Sequence, residues 1–406
     1  MKQKQIVNMW RRVTEKNNWD TKTLKNEIKS TVHIRSVGLY LTHKCNLRCK
    51  HCFWGTSNTA EEELNLTEWR SIIDQFVNHG TRHFHICGKE PLMSEKIFGI
   101  LSHFNELRNN WKIKYGIITN GTLVKKFSEY IDKYSLDYLD FSIDGTKRGN
   151  DILRGEGTFE RIIEGMKVAI DERLATSISS STVIYKENLK ELVEMTRYLY
   201  DIGIKYLFFQ PVRNYGKLNI ENWIVSPQDF SYAISQLKET IKDLSNITIE
   251  FEIPPTYLPF LYNNNELVKN TFNLFINGEK SSIKISDSNM IFHYHIFCLA
   301  YWRRARITAD GFFVGCDTHL TDKNYKKYSI GNLRYDNLES LLHQITSNTT
   351  FNGIIDSYKN ISCRKYPCFK WCVGGCRTMP FVKYNNWNKK DPMCFQKYKN
   401  SFLNSI

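Results

Sequence analysis

The stretch "LTHKCNLRCKHCFWG", Leu41–Gly55, places Cys45, Cys49 and Cys52 within eight positions. Three cysteines at C-x3-C-x2-C spacing suit neither disulfide pairing nor a closed four-ligand metal site. Three thiolates from one loop can hold three irons of a cubane cluster and leave the fourth open, just as catalytic metal sites keep a position vacant that structural sites fill. A zinc site completed by His43 or His51 is the alternative that spacing alone leaves open. The run before the loop, "SVGLYLT" (36–42), reads as a strand, so the loop leaves that strand's C-terminal end.

Working outward, five more strand-like runs follow: "RHFHIC" (82–87), "IKYGIIT" (113–119), "LDYLDFSID" (136–144), "SISSSTVIY" (177–185) and "IKYLFFQPV" (204–212). Helix-like runs separate them, among them "LTEWRSIIDQFVNHG" (66–80), closed by Gly80, and "NLKELVEMTRYLYDIG" (188–203). Alternating βα units predict an α/β fold with a parallel sheet. Six units are too few for a closed eight-stranded barrel, so a partial (β/α)6 barrel is expected. Its chemistry should gather where the strands end. The chain divides on composition into a basic N-terminal segment (1–35), the barrel (36–254), an aromatic-rich linker or insert (255–297) and a cysteine-rich domain (298–406). That last part carries seven of the eleven cysteines.

No run is long and apolar enough for a membrane span, and the start lacks a secretory signal, so a cytoplasmic protein is expected. In that compartment cysteines serve as metal ligands or catalytic groups more readily than as disulfides. The net charge of +14 is concentrated at the ends: +9 over residues 1–50 and +8 over 351–406. Such ends suit an acidic partner or a solvated surface; no nucleic acid is expected.

"CNLRCKHC" resembles the signature of the radical S-adenosylmethionine (SAM) enzymes, and the family's companion motifs follow in order. The resemblance implies that SAM chelates the open iron of a 4Fe–4S cluster. Reduction by an external flavodoxin- or ferredoxin-type donor then gives a 5′-deoxyadenosyl radical, which abstracts a substrate hydrogen. It also implies that His51 packs on adenine and that "CGKEP" binds the SAM amino group through Gly88, Lys89 and Glu90. Lys89 departs from the glycine usual there. "TNG" with Asn120 and "SIDG" with Ser142 complete the SAM site, and Arg154 of "NDILRGEGTF" is a candidate carboxylate contact, with Asn150 where the family often has histidine.

The tail is similar to the SPASM domain of radical SAM maturases, which carries two auxiliary 4Fe–4S clusters. On that resemblance Cys363, Cys368, Cys372 and Cys394 fully ligate the outer cluster, while Cys298, Cys316 and Cys376 bind the inner one and leave it a ligand short. The spacing from Cys363 to Cys376 is C-x4-C-x3-C-x3-C rather than the family's C-x2-C-x5-C-x3-C. Two structural zinc sites are the alternative for the tail. Asp317, next to Cys316, matches an aspartate that acts as a base in sulfatase-maturating relatives; otherwise it caps a turn. Cys87 joins no cluster and is either a small buried hydrophobe or a hydrogen-atom donor.

The expected function is post-translational oxidation or crosslinking of a peptide or protein, with a separate peptide-recognition protein as a possible partner. A dehydrogenase or epimerase acting on a sugar, an aminocyclitol or a similar natural-product intermediate is the second reading. A cluster-bearing electron-transfer protein is disfavoured, because it needs neither an open iron nor SAM motifs.

Overall fold

The structure, a computed structural model, describes residues 8, 11, 21–30, 32–54, 62–213, 221–277, 282–285, 288–294 and 297–395. Most of the basic N-terminal segment, together with Gly55 and His295, lies outside them. All six expected strands are present: β1 Ser36–Tyr40, β2 His83–Cys87, β3 Lys114–Thr119, β4 Leu136–Ser142, β5 Ala175–Ile184 and β6 Tyr206–Pro211. They pair in parallel in chain order, as βα units connected by crossover helices must.

The sheet runs further than six strands. β7 (Thr248–Ile253) and β9 (Ser288–Tyr294) continue it in parallel beyond β6, and β8 (Ser282–Ile285) closes that edge antiparallel. At the other edge β10 (Arg304–Ile307) joins β1 in parallel and β11 (Phe313–Val314) pairs back on β10. The order is β11-β10-β1-β2-β3-β4-β5-β6-β7-β9-β8. Residues 255–297 thus hold two helices (Leu258–Asn264, Glu266–Ile276) and two strands, and the tail adds strands to the barrel's own sheet.

Alternation along each strand sets the two faces. Val37, Leu39, Phe84, Ile86, Leu139, Phe141, Leu207, Phe209, Ile249 and Phe251 are buried in one continuous core under the helices. The helix Leu66–Asn78 is typical of that layer. Asn65 and Glu68 form a reciprocal capping box at its start, and Trp69, Ile72, Ile73 and Phe76 bury its inner stripe. The opposite face of the strands is polar. There His85 bridges Tyr138 (2.5 Å) and Ser36 (2.7 Å), and Asp140 accepts from Ser179 and Ser181 at 2.6 Å each. Gly38 belongs to this face: a Cβ on it would lie 2.7 Å from the Arg306 side chain and 3.2 Å from Cys87 Sγ. Glycine there lets an arginine from β10 lie across β1.

Candidate functional site

The cysteine loop follows β1 and is fastened at both ends. Leu47 N donates to Cys45 Sγ (3.4 Å), Cys52 N to the Cys49 carbonyl (3.1 Å), and Lys50 N to the Leu153 carbonyl of the helix Lys147–Arg154 (2.8 Å). All three thiols are partly exposed. Burial, with a contribution from the neighbouring thiols, pushes Cys45 up and Cys49 to about 11. They rest as thiols, and a metal that binds them must displace protons.

The companion motifs converge on this loop. His51 is half-buried with Nε2 3.3 Å from Asp144 Oδ2, and desolvation lowers its pKa to about 4, so its ring is neutral. Arg154 Nε lies 2.6 Å from the same carboxylate oxygen. Asp144, the aspartate of "SIDG", is therefore the post to which His51 and Arg154 are tied. It also accepts from Val183 N (2.8 Å). Arg154 thus meets a carboxylate of the chain itself. Ser142 ends β4 in register with Ser181.

Gly88 has φ +116°, and a Cβ there would come within 2.9 Å of the Tyr40 ring, so the turn after β2 requires glycine. Lys89 stands in the field of Cys45 and Cys52, and burial lowers its pKa. Glu90 is fully buried and its carboxylate is saturated. Oε1 accepts from Thr119 Oγ1 (2.8 Å) and Leu92 N (3.1 Å), and Oε2 from Asn120 N (2.8 Å). It laces the β2 turn to the β3 turn. Asn120 Nδ2 in turn donates to Asn46 (2.8 Å) and lies 3.9 Å from Cys45 Sγ.

The tail thiols fall into two groups. Cys298, Cys316 and Cys376 feel one another's charge, as do Cys363, Cys368, Cys372 and Cys394. Each group lines its own cavity. The four-thiol cavity is about 50 Å³. The three-thiol cavity, about 160 Å³, is also walled by Gln210 of β6, Glu252 of β7 and Arg304 of β10, so it opens onto the polar face of the barrel. Asp391 joins the two groups: it accepts from Cys376 N (2.6 Å) and Met393 N (2.8 Å), and its carbonyl takes Cys394 N (2.9 Å).

Among the described residues, no three Cys, His, Asp or Glu side chains are arranged to hold a single metal ion. The donor sets are soft sulfur donors grouped around a volume. A cluster with a separate iron for each thiolate asks for that arrangement rather than convergence on a point.

Asp317 and Cys87, far apart in sequence, are neighbours. Asp317 is gripped by Arg306 through both oxygens (2.8 and 3.0 Å) and accepts from the Tyr40 hydroxyl. Arg306 holds the Asp317 carboxyl below its usual range, although burial pulls the other way. Cys87 lies against the same group, and burial pushes its thiol up to about 12. Sequence reading missed Asp144, Arg306, Tyr40 and Asp391. Only Asp144 carried a signal, since it sits inside a motif already singled out.

A mostly parallel sheet with a three-thiol loop at the end of β1 and glycine, carboxylate and amide turns at the ends of β2 to β4 is the arrangement of a radical SAM domain. Residues 39–199 match the Radical SAM superfamily, and the chain carries that domain there. The family implies a 4Fe–4S cluster and SAM. Over most of its length the chain is similar to the Fe-coproporphyrin III synthase of Methanosarcina barkeri (strain Fusaro / DSM 804), with 23% identity over 373 residues, 87% of this chain and 86% of that protein. In fold it resembles Streptococcus suis SuiB bound to precursor peptide SuiA, with a TM-score of 0.69 at 20% identity, covering 94% of this chain and 82% of SuiB. It also resembles anSMEcpe with bound AdoMet and Kp18Cys peptide, with a TM-score of 0.64 at 19% identity, covering 91% of this chain and 96% of anSMEcpe. Among the described residues no helix is long and apolar enough to cross a membrane.

Proposed function

We propose that the chain is a radical SAM/SPASM enzyme that oxidises or crosslinks a peptide or protein. Cys45, Cys49 and Cys52 hold the SAM-binding cluster, Cys363, Cys368, Cys372 and Cys394 a fully ligated auxiliary cluster, and Cys298, Cys316 and Cys376 a second one that is a ligand short. When bound, the first cluster and SAM together supply the hydrogen-abstracting radical. The observation that carries this reading is the shared cavity, walled by the polar barrel face and by the three-thiol group of the tail. A substrate seated beside that cluster would face the polar side of the barrel strands.

The chain's own residues have separable tasks. Gly88 and Lys89 offer their backbone to the SAM amino group, and Lys89 adds a positive charge beside the cluster thiolates. Glu90 acts as a positioning residue that locks the two turns, and Asn120 orders the loop beside Cys45. His51 presents a neutral ring to adenine, oriented by Asp144. Ser142 and Arg154 face the SAM carboxylate or ribose, with Arg154 held in place by the same Asp144. Asp317 receives the proton released when a substrate radical is oxidised; its pairing with Arg306 keeps it ionised, at some cost in basicity. In the second reading, where an epimerised substrate radical takes a hydrogen atom back, the protonated thiol of Cys87 is its donor.

The likeness in fold to SuiB and anSMEcpe, whose structures carry peptides, favours a peptide substrate. The whole-length resemblance to Fe-coproporphyrin III synthase favours the second reading, a small-molecule substrate. An external electron donor of flavodoxin or ferredoxin type, and for a peptide a separate recognition protein, complete the system.

The test is anaerobic reduction of the reconstituted protein with dithionite in the presence of SAM, followed by mass spectrometry. 5′-Deoxyadenosine is expected. With a deuterated peptide substrate, deuterium should enter it and the peptide should lose two hydrogens. A reconstituted protein that forms no 5′-deoxyadenosine would refute the radical reading.

A further inference from the structure

Thr378 opens the helix Thr378–Tyr384 two residues after Cys376, and its side chain is buried in the wall of the three-thiol cavity. Its Oγ1 lies 3.0 Å from Cys376 Sγ and 3.9 Å from Cys316 Sγ. Among the described residues these two sulfurs are the hydroxyl's only hydrogen-bond contacts. The ring of His319, 3.9 Å from Cys316 Sγ, is engaged elsewhere. Tyr301 gives its hydroxyl proton to the Tyr328 carbonyl (2.5 Å), so His319 Nδ1, 3.1 Å from that hydroxyl, is the donor to it. Backbone N–H groups of Thr318 and His319 face Cys316, and that of Met379 faces Cys376. Thr378 is the side chain that adds to them at Cys376.

Metal ligation decides which way that bond runs. Between a thiol and a hydroxyl either atom can donate, but a sulfur that ligates iron is a thiolate and has no proton to give. The hydroxyl must then donate, since a buried donor left unmade costs more than the bond contributes. The position also rules out a second role. An oxygen within reach of two ligating sulfurs lies along an edge of the ligand set, not at the corner left open, so Thr378 does not supply the missing ligand. Hydrogen bonds to ligating sulfurs help to fix a cluster's potential. A reduced cluster holds one electron more, its sulfurs are more negative, and a hydrogen bond to a charged acceptor is the stronger one. The donor therefore favours the reduced state.

We infer that Thr378 is a positioning residue of the inner auxiliary centre, whose hydroxyl donates to the Cys376 sulfur and raises the potential at which that centre accepts an electron. The inference rests on the tail thiols holding clusters and adds the side chain that tunes one of them. In the oxidation a substrate gives a hydrogen atom to the adenosyl radical, a proton to Asp317 and one electron to this centre. A raised potential favours that last transfer.

The test is an anaerobic redox titration of the reconstituted full chain, read by electron paramagnetic resonance, with the inner centre's signal assigned as the one lost in Cys298→Ala. At a fixed potential the reduced-to-oxidised ratio of that centre should fall about tenfold in Thr378→Val, equal to about 59 mV for one electron, at unchanged iron and sulfide content. Thr378→Ser keeps the hydroxyl and should titrate with the wild type, and the outer centre should titrate alike in every variant. Thr378→Ala takes the place of the valine variant if that one does not fold. A ratio within about twofold of wild type, or an equal fall in Thr378→Ser, overturns the inference. So does loss of the inner centre's iron in Thr378→Val, which would make the side chain a ligand or a structural support. A wild type without auxiliary-cluster signals refutes the cluster reading and this inference together, whereas an unaltered ratio beside intact wild-type signals overturns this inference alone.

Discussion

Asp144→Asn keeps the shape of the side chain and removes the charge that holds the cysteine loop's supports. The carboxylate lies 2.6 Å from Arg154 Nε and 3.3 Å from His51 Nε2, and the Asp144 and Arg154 side chains are 0% and 8% exposed. Burial decides the magnitude. Breaking one partner of a buried pair costs about 3–5 kcal/mol, against about 0–1 for a pair on the surface. At about 2–4 °C per kcal/mol for a domain of this size, the expected fall in midpoint is roughly 6–20 °C. The assay is anaerobic circular-dichroism melting of the cluster-free protein, where the Cys49 thiol is protonated and cannot replace the lost anion. Asp144→Asn combined with Arg154→Met should recover part of the loss, because no uncompensated guanidinium then stays buried. In cluster-loaded protein the fall should be smaller, since the Cys49 and Cys52 sulfurs then carry negative charge near Arg154. A single-variant fall below about 3 °C, under the scale expected for a buried pair, would refute the reasoning. So would a double variant as unstable as the single.

Three further outcomes follow from the site. Burial raises the Glu90 pKa from 4.5 to about 7. The stability this residue contributes is therefore full below pH 4.5 and lost as pH rises through 7, a change of about 3 kcal/mol; Glu90→Gln should remove that component from urea unfolding profiles compared between pH 4.5 and 8. For an epimerised substrate, Cys87→Ala should abolish hydrogen return to the product radical, and unchanged turnover and product stereochemistry would reduce Cys87 to packing. Gly38→Ala puts a methyl within 2.7 Å of Arg306, and an overpacked site of this kind costs about 1–3 kcal/mol; chemical denaturation should show the loss, and a variant as stable as wild type would mean that Arg306 relaxes freely.

The six barrel strands were legible because β-branched and aromatic runs recur between helical periods, and their observed bounds fall within two residues of the expected ones. β9 was not, because residues 255–297 read as one aromatic-rich segment without a clear period, although "SDSN" ahead of "MIFHY" is a turn signal. β10 was hidden for another reason: "RARI" is four residues long with two arginines, and it reads as loop until its neighbour β1 is known. The cysteine loop and the motif turns were visible as local patterns. What holds them was not. Tyr40 reaches Asp317 across 277 positions, and no spacing rule announces such a contact. The sequence departures at Lys89 and Asn150 both have local explanations. Lys89 lies in the field of the loop thiols, while Asn150 is buried and fixes the Asp144 turn through its side-chain oxygen (3.2 Å to Asp144 N).

The account stands on three groups of thiols, each holding a cluster. Iron and acid-labile sulfide counted per chain after anaerobic reconstitution test it most directly. Three cubanes require about twelve of each, and replacing Cys45, Cys49 and Cys52 together by alanine should remove about four of each. A count near four in the wild type, or zinc in place of iron, would contradict the assignment of the tail.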